Sequence, residues 1–88
     1  MILIDPPAVP RWGRTWSHLA SDTSFEEVHA FAAAHGVPAR GWDRDHYDVP
    51  AEAYDDMVAA GAVPVTSRQL VMALRVAGLR RPKPMRSH

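Results

Sequence analysis

Residues 23–38, TSFEEVHAFAAAHGVP, indicate the fold class of this 88-residue chain most directly. Thr23 and Glu26 have capping-box spacing, in which the hydroxyl accepts a hydrogen bond from the third helical amide and the carboxylate reaches back. Apolar side chains then recur every three or four residues, and Gly36 and Pro38 end the pattern. This apolar stripe consists of Phe25, Val28, Phe31, Ala32 and His35. The stretch therefore predicts an amphipathic helix that packs one face against a core.

Two later segments carry similar helix signals. Pro50 suits the first turn of a second helix, and Gly61 ends it. Thr66 and Gln69 repeat the capping-box spacing at the start of a third helix, which ends at Gly78. The apolar faces are Ala53, Tyr54, Met57 and Val58 in the second helix, and Leu70, Val71, Leu74 and Ala77 in the third. The chain is thus predicted to contain three helices.

Short apolar segments around these helices predict strands. They are residues 2–5, 15–21, 39–42 and 62–65, of which residues 15–21 also fit a single helical turn. Pro64 favours an edge position for the last strand, because proline cannot donate to a neighbouring strand. The proline-rich residues 6–12 and the polar residues 43–48 are predicted to be loops. The alternation predicts an α/β fold with a small three- to four-stranded, partly parallel sheet and three covering helices.

The composition is that of a globular protein, with 47% hydrophobic and 23% charged residues. The absence of cysteine excludes disulfides, thiolate metal sites and a thiol nucleophile. The short apolar start ends at Asp5, which is too early for a signal peptide or a membrane span. We therefore expect a single domain over residues 1–79, located in the cytoplasm and without a membrane partner.

Charge is distributed unevenly, although the formal net charge is zero. All acidic residues lie between Asp5 and Asp56, whereas residues 67–88 carry arginine and lysine without any acid. Residues 80–88 are therefore predicted to be a basic, proline-containing tail that can neutralise phosphates. Its basic residues are Arg80, Arg81, Lys83 and Arg86. A solvated chain end without a function is the alternative explanation.

Five segments together resemble one protein family. They are ILID at residues 2–5, WSHLASDT at 16–23, EEVHAFA at 26–32, HYD at 46–48 and GAVPVT at 61–66. In this order they are similar to the domain of unknown function 4031, a family of small bacterial and phage proteins. The resemblance covers about residues 2–75. It implies a single intact domain, and it implies no activity, substrate or catalytic residue.

His46 and Asp48 form the most suggestive polar cluster. On an extended segment, residues two apart point to the same side and can bind a divalent ion together. In the alternative, Asp48 caps the second helix and His46 is a surface loop residue. His18 and Asp22 form a second cluster at the predicted sheet edge. Their alternative roles are a partly buried histidine and an acidic residue at a helix start.

Asp5 ends the first predicted strand and completes the candidate set. The candidate metal ligands are Asp5, Asp22, His46 and Asp48, and the candidate catalytic residues are His18 and His46. If they converge, they suit Mg²⁺, Mn²⁺ or Zn²⁺, and a metal-bound water can attack a phosphate ester or nucleic acid. The second hypothesis is a non-enzymatic accessory module that binds nucleic acid or a protein partner through the basic tail.

A sheet of this size leaves open edges. The edge at residues 62–65 is only partly protected by Pro64, and exposed edges favour pairing with another chain. The chain is also too short to bury every large side chain of its helix faces. We therefore expect a homodimer with two-fold symmetry. The alternative is a monomer whose edges are covered by residues 6–12 and the basic tail.

Overall fold

The computed structural model describes residues 1–80, in which a six-stranded mixed sheet lies between helices on both faces. The strands are β1 (Ile2–Ile4), β2 (Val9–Arg11), β3 (Arg14–Ser21), β4 (Trp42–Asp43), β5 (His46–Pro50) and β6 (Val63–Pro64). The helices are α1 (Phe25–Ala34), α2 (Tyr54–Ala59) and α3 (Ser67–Val76), with 3₁₀ turns at Ala39–Gly41 and Ala51–Ala53. The predicted α/β class and its three helices are confirmed for these residues, whereas the predicted count of three to four strands is wrong.

β3 is the central strand of the sheet. It pairs antiparallel with β5 along one edge and with both β1 and β2 along the other. Within residues 1–80, β1 and β6 form the parallel pair, and β6 lies at the sheet edge as Pro64 predicts. β4 pairs with the outer side of β5, which gives the order β4-β5-β3-β1-β6. The predicted partly parallel sheet is therefore a mixed one.

Residues 6–12 do not form the single loop that their prolines predict. β2 lies within this segment and pairs with β3 through a two-residue turn at Trp12 and Gly13. Both turn residues have positive φ angles, 52° and 71°, as the tight hairpin turns that match strand twist require. Pro10 is tolerated in β2 because an edge strand leaves one side of its backbone unpaired.

A bulge separates β1 from β2 along their shared edge of β3. Ile4 is aligned with Leu19 and Val9 with Trp16, so the four residues between Ile4 and Val9 face only two residues of β3. The bulge begins at Asp5 and contains the two consecutive prolines of the chain. Proline fits there because its missing N–H group interrupts no strand pairing.

Residues 43–48 are likewise not the polar loop that their charges predict. They contain the turn of the β4–β5 hairpin and the first half of β5. Tyr47 and Val49 are buried, and the residues that alternate with them along β5, which include His46 and Asp48, point to the opposite face. Because charged side chains lie on that face, the segment is polar as a whole, and its alternation of buried and outward-facing positions is not evident from composition. The strand predicted at residues 39–42 is mostly the 3₁₀ turn Ala39–Gly41, which precedes β4.

α1 begins one residue later than its predicted capping box. Ser24 is the N-cap, and its hydroxyl accepts a hydrogen bond from the Glu27 amide at 3.1 Å. The Glu27 carboxylate accepts from the hydroxyl of Ser21 instead of returning to the cap. The predicted capping box of Thr23 and Glu26 is therefore not formed, and Ser24 caps the helix through its hydroxyl alone.

The other two helices start as follows. The predicted capping box of α3 is confirmed, with Thr66 and Gln69 exchanging hydrogen bonds of 2.9 and 3.0 Å. The second predicted helix begins with the 3₁₀ turn Ala51–Ala53 and becomes α-helical at Tyr54. Pro50 is the last residue of β5 and does not lie inside the helix.

Two apolar clusters cover the two faces of the sheet. Side chains alternate along β1, so Ile2 and Ile4 pack toward α1 and α2, whereas Leu3 packs toward α3. The smaller cluster consists of Leu3, Ala20, Leu70 and Leu74. On the face of the sheet that α3 covers, the side chains nearer to β5 are polar. No helix of residues 1–80 has both the length and the apolar character needed to cross a membrane.

Leu74→Ala tests the smaller cluster. Leu74 is fully buried, so its truncation leaves a cavity beneath α3 and should lower the free energy of unfolding by about 2–5 kcal/mol. Val76→Ala is the matched control, because Val76 lies on the same helix and is 82% exposed. Its expected change is below about 0.5 kcal/mol. Urea denaturation followed by tryptophan fluorescence measures both values, and equal losses would contradict this packing.

Candidate metal centre

His18, His46 and Asp48 lie together on one face of the sheet. The register of β3 and β5 places His18 opposite Asp48, and His46 lies two residues before Asp48 on the same face of β5. One potential ligand atom from each residue lies within 4.8 Å of the other two. The two imidazole rings contact each other edge to face, with centroids 4.6 Å apart. Strand pairing therefore assembles these three residues, which we call the His–His–Asp cluster.

A buried carboxylate orients His18 from behind. The Nδ1 atom of His18 lies 2.7 Å from one oxygen of Asp5, and the backbone amide of His18 donates to the other oxygen at 2.5 Å. The first oxygen also accepts from the hydroxyl of Ser67 at the start of α3, at 2.8 Å. An ionised carboxylate can only accept, so Nδ1 carries the proton and Nε2 of the neutral ring keeps its lone pair.

The second histidine is held in the same way. The Nδ1 atom of His46 lies 2.7 Å from a carboxylate oxygen of Asp45. Arg80 binds Asp45 with two hydrogen bonds, from Nε at 2.8 Å and from Nη2 at 3.1 Å. The Nε2 atom of His46 is then directed to Asp48, 3.3 Å from its Oδ1 atom. A residue that follows α3 thus fixes a ring on β5.

Hydrogen bonding keeps both supporting carboxylates ionised. Burial alone raises the pKa of Asp5, but hydrogen bonds from His18 and a serine hydroxyl outweigh it, so the pKa lies below its ordinary value. Burial also raises the pKa of Asp45, but hydrogen bonds from Arg80 and His46 outweigh this effect, so the pKa of Asp45 also lies below its ordinary value. The hydrogen bond to Asp5 raises the pKa of His18, although burial opposes the rise. A carboxylate behind each ring makes its free nitrogen a better metal ligand.

The cluster opens into a small cavity of about 110 Å³. Its lining residues are Val9, Arg11, Trp16, His18, Asp43, His46 and Asp48. Arg11 contributes a positive charge, since its Nη1 atom lies 3.8 Å from Oδ2 of Asp48. A water molecule occupies about 30 Å³, so this cavity has room for an ion with a few waters or one small group.

The geometry of the His–His–Asp cluster suits a metal ion. Ligands about 2.0–2.2 Å from a tetrahedral ion lie about 3.3–3.6 Å from one another. The separation of 3.3 Å between His46 and Asp48 meets this requirement, and the remaining separations, up to 4.8 Å, need about 1 Å of side-chain movement. Two imidazole nitrogens and one carboxylate oxygen suit Zn²⁺ or Mn²⁺ better than Mg²⁺, which prefers oxygen ligands. Three protein ligands leave a position for water.

The other predicted ligands occupy different positions. Both oxygens of Asp5 are hydrogen-bonded behind His18, so Asp5 supports the cluster from outside it. Asp22 does not join the cluster, because its carboxylate binds the N-terminal amine of Met1 at 2.9 Å. Asp48 lies within β5 and faces the cavity rather than capping a helix.

Only one residue of the predicted basic strip falls within residues 1–80. Arg80 is held by Asp45, as described above, and its side chain is 28% exposed. The remaining three, Arg81, Lys83 and Arg86, lie outside the described residues.

Sequence reasoning missed the supporting role of Asp45 and Arg80. Asp45 directly precedes His46, which is a usable signal once the segment is recognised as a hairpin. Arg80 gives no such signal, because its contact with Asp45 joins residues 35 apart in sequence. The cavity residue Arg11 was also missed, since β2 was predicted to be a loop.

Comparisons with known proteins place the chain in one family. A family model described as "Protein of unknown function (DUF4031)" matches residues 2–77. No match was found among curated proteins or among solved structures.

Asp5→Asn tests the supporting carboxylate through the pH dependence of stability without added metal. The lowered pKa of Asp5 stabilises the fold above its ordinary value of 3.8, and this contribution is lost as the pH falls through the lowered pKa. The raised pKa of His18 stabilises the fold below its ordinary value of 6.5, and this contribution is lost as the pH rises through the raised pKa.

The variant should therefore be less stable than the native chain by about 1–3 kcal/mol between those two values, with a smaller difference on either side. Urea denaturation across the pH range measures the difference. A difference that does not vary with pH would contradict the ionic pair.

Proposed function

The chain belongs to the family described as Protein of unknown function (DUF4031), and for this member we propose a divalent-metal site that hydrolyses phosphate esters. The observation that carries the proposal is the paired support of His18 and His46. Each ring has Nδ1 bound to a buried carboxylate, and the free sides of both rings meet at Asp48. Histidines that bind metals nearly always have such a carboxylate or carbonyl partner on their second nitrogen.

The balance of charge also supports a cation at this position. Asp5, Asp45 and Asp48 bring three carboxylates close to the two rings, and Arg80 neutralises one of them. Arg11 lies on the exposed side at 3.8 Å from Asp48, which makes it a weak partner. A divalent ion bound at the His–His–Asp cluster would offset the remaining negative charge. Zn²⁺ and Mn²⁺ are the ions that the nitrogen and oxygen ligands favour.

The proposed reaction is hydrolysis. A divalent ion held by His18, His46 and Asp48 would lower the pKa of a water molecule and supply it as the nucleophile for the phosphorus of the ester. The water oxygen would replace the ester oxygen on phosphorus, its proton would pass to solvent, and the leaving alcohol would take up a proton from solvent. Arg11 lies where its guanidinium can bind a phosphate oxygen, because it lines the same cavity as the cluster.

Metal titration tests the site. The metal-free native chain should bind one Zn²⁺ or Mn²⁺ ion, with a Kd in the micromolar range or tighter (~8 kcal/mol). His46→Ala and Asp48→Ala should each lose this binding, because two ligands do not hold the ion. Asp22→Asn is the matched control and should bind like the native chain, since Asp22 contacts the N-terminus. Isothermal titration calorimetry measures all four proteins, and native binding no tighter than about millimolar would contradict the site.

Substitutions of the two supporting groups, Asp45 and Arg80, should weaken metal binding to different extents. Asp45→Asn should weaken metal binding about 10–100-fold, because loss of a supporting carboxylate has effects of this size. Arg80→Ala should weaken it in the same direction but less, since it acts through Asp45. Arg75→Ala, an exposed arginine of α3, should leave the Kd unchanged. Equal values for all three variants would show that Asp45 does not position His46.

Hydrolysis is tested with bis(p-nitrophenyl) phosphate, whose cleavage releases a coloured phenolate. The native chain loaded with Zn²⁺ or Mn²⁺ should release it faster than the same ion alone, and His46→Ala should not. Asp22→Asn should retain the native rate. Metal binding without any cleavage of phosphate monoesters or diesters would leave the site in place and contradict the hydrolytic function.

A further inference from the structure

The β2–β3 hairpin carries exposed aromatic and basic side chains. Trp12 lies at its turn and is 77% exposed, although tryptophan is normally buried. The guanidinium of Arg11 lies 5.2 Å from the centre of the Trp12 ring, and that of Arg14 lies 5.9 Å from the Trp16 ring. We call these four residues the aromatic hairpin. Alternating arginine and tryptophan is the side-chain chemistry of proteins that bind unpaired nucleotides.

Folding does not explain the tryptophan at the turn. Trp12 has a φ of 52°, in the left-handed region where a bulky side chain is strained. Tight hairpin turns of this kind favour asparagine, aspartate or glycine there. Trp12 gains one edge-to-face contact with Trp16, with centroids 5.9 Å apart, and exposes most of its surface. Backbone strain of this kind occurs where function requires it.

The aromatic hairpin leads to the metal centre. Arg14, Trp16 and His18 alternate along β3, so they share one face and the row from Arg14 to His18 spans about 13 Å. Arg11 is paired with Arg14 in the hairpin register. Arg11 also lines two cavities, the one at the His–His–Asp cluster and an adjoining open groove of about 580 Å³.

The orientation of Trp16 is fixed. Its ring nitrogen donates to the backbone carbonyl of Arg11 at 3.0 Å, which holds the ring against the hairpin. Both arginines have carboxylate partners, the exposed Glu52 at 3.1 Å from Arg14 and the half-buried Asp48 at 3.8 Å from Arg11. The exposed pair contributes little and the other is long, so a phosphate group can replace either carboxylate.

We propose that the aromatic hairpin binds single-stranded nucleic acid and directs a phosphodiester toward the His–His–Asp cluster. Bases stack on the exposed face of Trp12, and Arg11 and Arg14 bind the phosphates between them. A duplex cannot make the same contacts, because its base faces are already stacked on one another and are not free to stack on Trp12. The choice of phosphodiester as substrate rests on the proposed hydrolytic function, whereas the binding of the strand does not.

Binding is tested by fluorescence anisotropy with a labelled single-stranded DNA of about 12 nucleotides, in EDTA and at low salt. Trp12→Asn is the test variant, because asparagine accepts the left-handed conformation and the hairpin keeps its turn. It should weaken binding about 10-fold or more, as loss of one stacked base does. Met72→Ala, which removes an apolar side chain of α3 that is 52% exposed, is the control and should bind like the native chain.

Two further measurements identify the kind of contact. Arg14→Ala should reduce the slope of log K against log salt by about 0.7, the value for one phosphate contact to a single strand. Arg44→Ala, an arginine 91% exposed at the β4–β5 turn, should leave the slope unchanged. The complementary duplex of the same length should bind more weakly than the single strand.

The proposal is overturned if Trp12→Asn binds as tightly as the native chain, which would assign binding to residues 81–88, or if the duplex binds equally well. It is also overturned if the native chain does not bind, or if light scattering shows that Trp12→Asn merely dissociates a dimer. Measuring strand binding in EDTA separates this proposal from the metal site. The native chain should bind the strand without any metal ion, so this result holds even if metal titration finds no site.

Discussion

The hydrogen bonds that the buried carboxylate of Asp5 accepts are the interaction on which the rest of the structure depends. It accepts hydrogen bonds from the ring and the backbone amide of His18 and from the hydroxyl of Ser67. These contacts join the end of β1, the middle of β3 and the start of α3 around one charge. A buried charge without partners costs several kcal/mol, so displacement of any of the three elements is strongly opposed. The fold and the orientation of a candidate metal ligand are therefore fixed by the same group.

Asp45 repeats this arrangement on the other side of the candidate site. It holds His46 and is itself held by Arg80, so each ring has a charged support behind it. The two supports contact opposite ends of α3, since Asp5 is tied to Ser67 at its start and Asp45 to Arg80, four residues after its last residue, Val76. With both rings restrained, little side-chain freedom remains to be lost when a ligand binds, which favours affinity.

Features that depend on residues close together in sequence, such as a helix cap, could be predicted from the sequence, whereas the pairing of strands could not. The capping box at Thr66 and Gln69 spans four residues, so the start of α3 follows from spacing alone. β2 and β5 are strands because each pairs with β3, and the spacing of residues within either segment does not identify that partner. The candidate site divides in the same way. His46 and Asp48 share a face by their two-residue spacing, whereas the contact of Arg80 with Asp45 depends on the folded chain.

The parallel pairing of β1 with β6 has a consequence for how the chain folds. It aligns Leu3 with Val63, so this contact closes a loop of 60 residues, whereas the β2–β3 hairpin closes a turn of two. Contacts between residues distant in sequence form slowly, because the chain between them must first be ordered. The hairpins are therefore expected to form early, and the outer edge of β1 stays unpaired during synthesis until β6 has left the ribosome. That interval is when this small sheet is most exposed to aggregation.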